Sequence, residues 1–164
     1  MECVSGSRPR AAISWSGGKD CCLALGCTHV IFGDIFEDTH RAWTERICGT
    51  AGLIAVQPLW GESTDVLVRE FIDRGGEARL VTVREEHLDA SWLGQPLSLA
   101  VVDELTARGI DPAGERGEYH SVVTGCPLFK SPLHVIHGAH VQHRGCRAID
   151  LAPETPTMAD HASV

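Results

Sequence analysis

Residues 11–20 read AAISWSGGKD, and this stretch decides the expected fold. The apolar run over residues 11–15 is typical of a short strand buried inside a parallel sheet. A Ser-Gly-Gly turn follows it, and a short helix is predicted from Asp20 to Gly26, where the glycine ends it. A strand, a glycine turn and a helix start in this order predict an α/β unit.

The same turn has the chemistry of an anion site. Its glycines let backbone N–H groups approach an anion, and a helix N-terminus adds partial positive charge. Lys19 adds a full charge and Ser16 a hydroxyl donor. The alternative is an ordinary turn with a solvated lysine, but the order of elements favours phosphate binding. The spacing is not that of a Walker A sequence.

Strand and helix patterns alternate along the next part of the chain. Strands are predicted over residues 29–32, 53–59 and 78–83, and helices over 38–51 and 64–74. This alternation predicts an α/β fold with a parallel sheet. A helix over 98–108, a strand over 119–123 and a hairpin over 133–151 follow. We therefore expect one part over residues 11–83, a second over 84–152, and disordered tails at 1–10 and 153–164.

Composition narrows the function classes. The chain has 164 residues and a formal net charge of -8, which disfavours binding to nucleic acid backbones. No apolar run approaches the roughly 20 residues of a membrane span. Residues 1–10 lack the apolar core of a signal peptide, so a cytoplasmic protein is expected. Seven cysteines without a CxxC pair are interpreted as free thiols.

Two further segments carry candidate ligand-binding carboxylates. Glu115 and Glu118 lie in a glycine-flanked run and could hold Mg²⁺, attract ammonium or orient an acceptor. A solvated turn is an equally good explanation of their spacing. Gly33 and Asp34 directly follow a predicted strand, where open α/β sheets bind ligands. The alternative for Asp34 is capping of the next helix.

A histidine series near the end of the chain suggests a metal site. Residues three apart on a strand point to opposite faces, so a surface hairpin is the favoured interpretation. The series comprises His134, His137, His140, His143 and Cys146.

Residues 11–151 resemble the diphthine–ammonia ligase family of the ATP pyrophosphatase, or PP-loop, superfamily. The resemblance rests on the run Ser16-Gly17-Gly18-Lys19-Asp20 and on four other segments. These are Phe32-Gly33-Asp34-Ile35, Pro58-Leu59-Trp60, Leu88-Asp89-Ala90-Ser91, and Gly114 to Ser121 with Pro127-Leu128-Phe129. The implied fold is a Rossmann-like (adenine nucleotide alpha hydrolase-like) parallel sheet with a small C-terminal α+β part ending in a hairpin.

The resemblance also implies a reaction. ATP is cleaved to AMP and pyrophosphate, a carboxylate is adenylated, and ammonia displaces AMP to give an amide. The acceptor in eukaryotic and archaeal members is diphthine on elongation factor 2. The implied cofactors are ATP and Mg²⁺, and the implied partners are ammonia and a carboxylate acceptor, with no membrane and no nucleic acid. A homodimer is left open.

Site roles follow from the same resemblance. The first part would bind ATP and the second the acceptor. The β,γ-phosphates would be held by Ser16, Gly17, Gly18 and Lys19, while Asp20 supports the loop and the magnesium. The nucleotide site would also include Cys21, Gly33 and Asp34. The implied catalytic residues are Lys19, Asp20, Glu115 and Glu118.

Two departures from the family pattern bear on activity. Cys21 replaces a serine, and a thiol donates weakly while a thiolate repels phosphate, so weaker ATP binding is expected. The connection between the first helix and the next strand, at Gly26 to Thr28, is also shorter than in the family. About two βα units that help to hold adenosine are absent from it. A noncatalytic nucleotide-binding protein is therefore one alternative. A tRNA sulfur-transfer enzyme is another, which the acidic charge and the missing CxxC pair disfavour.

Overall fold

The computed structural model describes residues 11–13 and 28–154 of the chain. The chain divides into two compact units, Met1–Ser63 and Thr64–Val164. Each of the two units contains its own sheet. This combination of helices with parallel and antiparallel strands confirms the α/β class expected from the sequence. The Rossmann-like detail stays a prediction.

The first unit has a parallel three-stranded sheet in the order β1-β2-β3. Its strands are β1 (Ala11–Ile13), β2 (His29–Ile31) and β3 (Ile54–Val56). Helix α1 (Asp38–Thr50) connects β2 to β3. Because all three strands run in the same direction, the chain leaves each of them at the same edge of the sheet.

The core of the first unit is small. Val30 and Cys48 are buried, and Phe32, Leu53 and Ala55 pack against them. Helix α1 turns its buried side inward through Thr44 and Cys48, which are four residues apart and therefore share one helix face.

The second unit has a four-stranded sheet in the order β5-β4-β7-β6, and all its strand pairs are antiparallel. The strands are β4 (Glu77–Arg84), β5 (Tyr119–Gly125), β6 (Val135–His143) and β7 (Cys146–Pro153). Helices α2 (Thr64–Asp73) and α3 (Leu99–Ala107) and a 3-10 helix (Ala90–Trp92) complete the unit.

Strand β4 corrects one expectation. The sequence pattern grouped it with the parallel strands, but it pairs antiparallel with β5 and β7. The two compact units divide after Ser63, whereas the sequence pattern placed the boundary between residues 83 and 84. The burial of Ala78, Leu80 and Val83 beside more exposed neighbours is typical of a strand with only one covered face.

Aliphatic side chains dominate the core of the second unit. Leu80, Val83, Val102 and Leu105 have no exposed surface, and burial of each such side chain contributes about 1.5–3 kcal/mol. Helix α3 begins at a Ser98 cap, whose side chain accepts a hydrogen bond from the Val101 N–H. The shared core joins helix α3 to the sheet. Strand β5 of this sheet directly follows the glutamate segment, residues 114–118.

Strands β6 and β7 form the predicted hairpin. Its two-residue loop, Arg144 and Gly145, has positive φ at both positions, as a type I′ turn requires. Every residue of β6 after Val135 is exposed. The four histidines are thus spread along a surface hairpin, and the described residues contain no group of three or more metal-ligating side chains.

Candidate functional site

The loop after β1 lies outside the part of the chain that the structure describes. Strand β1 ends at Ile13, and the description resumes at Thr28. The predicted phosphate-binding and catalytic roles of this loop therefore stay predictions. The residues concerned are Ser16, Gly17, Gly18, Lys19, Asp20 and Cys21.

A cleft lies next to the carboxyl end of β2 in the first unit. Its volume is about 510 Å³, and it is lined by Phe32, Asp34, His40, Trp43 and Thr44. This volume is within the range of small-molecule sites. The cleft combines two aromatic walls with a carboxylate, an imidazole and a hydroxyl, so it offers both stacking surfaces and hydrogen-bonding groups.

Asp34 contributes the carboxylate of this cleft. Its side chain is 20% exposed, and Oδ1 lies 3.4 Å from Nδ1 of His40 in the first turn of α1. Helix α1 begins at Asp38 with Glu37 as its N-cap residue, so Asp34 does not cap it. The capping alternative for Asp34 is therefore wrong, and its place in a nucleotide site stays a prediction. Gly33, which precedes it, is exposed.

Helix α1 supplies the residues that sequence reasoning missed. His40, Trp43 and Thr44 lie three and four residues apart and line the cleft together. Trp43 is 44% exposed, although it is a large aromatic side chain. The sequence did contain a signal for them, because these three residues follow Asp34 at a spacing that places them on one side of a helix.

Hydrogen bonds fix the side of the cleft formed by Thr44. The Thr44 hydroxyl donates to the Arg41 carbonyl at 2.9 Å and accepts from Gln57 Nε2 at 2.8 Å. Arg41 in turn lies over the ring of Trp60, 4.8 Å from its centroid. These contacts connect helix α1 to the chain that follows β3.

In the second unit, the glutamate segment separates its two carboxylates. Glu115 is exposed, whereas Glu118 is only 5% exposed, although both lie in one glycine-flanked run. The Asp111 N–H donates to Glu118 Oε1 at 3.3 Å. The solvated-turn alternative therefore does not describe Glu118.

The buried side chain of Tyr119 holds this segment in place through a hydrogen bond. Its hydroxyl donates to the Pro112 carbonyl at 2.5 Å, and the side chain is almost fully buried. Burial raises the pKa of the Tyr119 hydroxyl far above its usual value, and the charges of Asp111, Glu118 and Glu115 raise it further. The hydroxyl thus stays a neutral donor at any physiological pH.

Arg84 holds the other end of the segment. Its backbone N–H donates to the Glu118 carbonyl at 2.9 Å, and its Nε donates to the Gly117 carbonyl at 3.2 Å. Two hydrogen bonds from one residue of β4 fix the direction in which the chain enters β5. Glu118 is therefore held by the sheet, and Glu115 projects from the exposed part of the loop.

Among the described residues, no helix is long and apolar enough to span a bilayer.

Comparisons with known proteins identify relatives of this chain. Residues 63–152 match the diphthamide synthase C-terminal domain. The diphthine–ammonia ligase of Schizosaccharomyces pombe is 30% identical over 114 residues, covering 68% of this chain and 19% of that protein. The Bos taurus enzyme of that name is 31% identical over 115 residues, covering 68% of this chain and 43% of its own length.

The corresponding protein of Rattus norvegicus is 32% identical over 118 residues, which is 70% of this chain and 44% of the relative. The chain thus spans less than half the length of these curated relatives.

Proposed function

This chain belongs to the diphthine–ammonia ligase family, and on that premise we propose that it is an ATP-dependent, AMP-forming amide ligase. In the first step, a substrate carboxylate attacks the α-phosphorus of ATP, which gives an acyl adenylate and pyrophosphate. In the second, the lone pair of ammonia attacks the acyl carbon, AMP leaves, and one proton is released as the amide forms. The proposed acceptor is diphthine on elongation factor 2.

The arrangement of the parallel sheet carries the nucleotide part of this proposal. Strands β1 and β2 are parallel neighbours, so the chain leaves both at one edge. Ser16 follows Ile13 by only three positions, and the cleft with Asp34 begins just after β2. Ligands of open α/β sheets bind outside the carboxyl ends of strands, which favours a nucleotide here.

The side chains of the cleft suit a purine nucleotide. Trp43 and Phe32 provide ring faces for stacking, and Asp34 provides an acceptor for an exocyclic amino group. Mg²⁺ in nucleotide sites is held by substrate phosphates and one or two carboxylates. We propose Asp20 for that role, with Ser16, Gly17, Gly18 and Lys19 on the β,γ-phosphates and Gly33 beside the nucleotide.

The second unit would serve the acceptor and ammonia. Glu118 is fixed beneath a loop and Glu115 is exposed on it, so the two have different tasks. We assign the exposed Glu115 to the acceptor and the buried Glu118 to ammonia.

One observation favours a second candidate, a noncatalytic nucleotide-binding protein. Only residues 14–28 connect β1 to β2, which is close to the minimum of about 10–12 residues for a parallel crossover. A site with so short a connection could bind ATP without completing adenylation.

Pyrophosphate release tests the two candidates against each other. The assay contains the chain, ATP, Mg²⁺, ammonium and elongation factor 2 carrying diphthine, and a parallel calorimetric titration measures ATP binding. The ligase proposal expects pyrophosphate and AMP in equal amounts, dependent on the acceptor. ATP binding without pyrophosphate would favour the noncatalytic candidate, and absence of ATP binding would refute both.

Lysine variants provide a matched control, because the chain contains two lysines, Lys19 and Lys130. Lys19→Met removes a charge-assisted hydrogen bond to phosphate and should weaken ATP binding at least about tenfold. Lys130 is exposed in the second unit, so Lys130→Met should leave ATP affinity unchanged. Equal losses in both variants would contradict the assignment of the loop.

A further inference from the structure

Two carboxylates are buried at the loop before β5, and only one of them, Glu118, lies in the segment that resembles the family. Asp111 is 8% exposed and Glu118 is 5% exposed. One oxygen of each is satisfied, since Asp111 Oδ1 accepts from the Ala113 N–H at 3.1 Å and Glu118 Oε1 accepts from the Asp111 N–H at 3.3 Å. The other two oxygens, Asp111 Oδ2 and Glu118 Oε2, are buried without a hydrogen-bond partner among the described residues.

These two oxygens need a donor. A buried acceptor without a partner costs about 1–3 kcal/mol, and a charged one costs more. The neighbouring Tyr119 hydroxyl cannot supply the proton, because it already donates to the Pro112 carbonyl. Among the described residues, no basic side chain pairs with either oxygen, so both are open to a donor from a bound ligand.

The position and the hydrogen-bonding chemistry of the Asp111 and Glu118 carboxylates indicate which class of ligand they would bind. The two residues are direct neighbours, because the Asp111 N–H donates to Glu118 Oε1 at 3.3 Å. The described residues hold no group of three or more side chains that could together bind a metal ion. A compact monovalent cation with several N–H donors matches two carboxylates better, because carboxylates only accept.

We propose that Asp111 and Glu118 together bind an ammonium ion. The ion is about the size of a water molecule, so it needs a space of only ~10–15 Å³. This inference rests on the proposed function in one respect, that ammonia is the second substrate of the ligase. It adds Asp111 to the site and excludes Glu115, which lies on the exposed part of the loop.

Cation-specific stabilisation of the complete chain tests the proposal. The thermal unfolding midpoint is measured near neutral pH in ammonium, potassium and sodium chloride at equal ionic strength. A ligand that binds only the folded state raises the midpoint with its concentration. We expect a rise that is specific to ammonium, because potassium has a similar charge but no N–H donors.

Isosteric variants locate the effect. Asp111→Asn and Glu118→Gln should each weaken ammonium binding at least about tenfold, since each removes a charged acceptor. Glu115→Gln is the matched control and should keep the full ammonium-specific rise. An equal midpoint rise with all three cations, or an unchanged ammonium effect in Asp111→Asn, would overturn the proposal.

A direct measurement keeps the test decisive where a variant is unstable. Isotope-labelled ammonium bound to the wild-type chain should give magnetisation transfer to the ring protons of Tyr119, the single tyrosine. Absence of that transfer at saturating ammonium would refute the site. Pyrophosphate release without ammonium binding at this pair would refute only the inference. Ammonium binding without ATP turnover would support the pair and refute the ligase proposal.

Discussion

Replacing Gly114 by alanine should loosen the loop that holds the buried carboxylates. Gly114 has φ of 69°, in the left-handed region that an L side chain rarely adopts. A Cβ built at this position would lie 2.8 Å from the Tyr119 carbonyl oxygen and 3.1 Å from Tyr119 Cε1. The Tyr119 backbone belongs to β5 and cannot move without disturbing the strand.

Two terms give the magnitude. The left-handed conformation costs an alanine roughly 1–2 kcal/mol. Forcing a methyl group against fixed atoms costs about 1–3 kcal/mol more. The total loss of stability is therefore about 2–5 kcal/mol for Gly114→Ala.

Gly109→Ala is the matched control. Gly109 has φ of 72°, yet a Cβ there would meet nothing within 4 Å. It shares the backbone strain and the entropy change of the unfolded chain, so these cancel in the comparison. The difference between the two variants isolates the Tyr119 contact, which should amount to about 1–3 kcal/mol, or roughly 5- to 150-fold in the opening equilibrium.

Amide hydrogen exchange of the β4–β5 ladder, measured by mass spectrometry, reports this opening within the second unit. The ladder amides should exchange faster in Gly114→Ala than in Gly109→Ala by that factor. Equal exchange in the two variants would show that Tyr119 moves aside freely, and would refute the reasoning that its contact fixes the loop.

Four other outcomes are expected. Leu105→Ala should lower the free energy of unfolding by about 2–5 kcal/mol, whereas Leu99→Ala on the same helix should cost less than about 1 kcal/mol, because Leu105 is fully buried and Leu99 is 41% exposed; chemical denaturation compares them. The folded-state pKa of Tyr119 exceeds the unfolded value, so the contribution of this residue to stability is intact below about pH 10 and is lost as the pH rises further. Tyrosinate absorbance and unfolding, both followed in an alkaline titration, should change together. The pKa of Glu85 is lowered by hydrogen bonds from Arg147 and Gln142, so its contribution is present above about pH 4.3 and is lost as the pH falls, and Glu85→Gln should flatten the acid dependence of hairpin stability. Cys21→Ser should tighten ATP binding in a calorimetric titration, and equal or weaker affinity would contradict the assignment of that residue to the phosphate loop.

Local patterns of the sequence predicted the elements well. The strands after residues 28, 53 and 76 and the three helices follow directly from apolar periodicity and glycine boundaries. Strand pairing was harder to predict, because partners are chosen by contacts far apart in sequence. The preceding β-α alternation predicted a parallel strand at residues 78–83, whereas the one-sided burial that is typical of an antiparallel strand became visible only in the structure.

The candidate site shows the same limit. Glu115 and Glu118 have similar neighbours in sequence, yet only Glu118 is buried. The difference depends on the Tyr119 contact with Pro112 and on the Arg84 hydrogen bonds, which no spacing rule reveals. For Asp111 one local signal was available, because an aspartate side chain can accept a hydrogen bond from the backbone N–H two residues later. Asp111 accepts such a bond from the Ala113 N–H.

The division after Ser63 has a consequence for how this protein could have changed over time. The principal buried cluster of the second unit draws all its members from residues of that unit, and the family match begins at almost the same position. Insertions or deletions between β1 and β2 therefore fall outside that cluster. Natural selection could lengthen or shorten the first unit of such a chain while the second unit, with its own core, is inherited nearly unchanged.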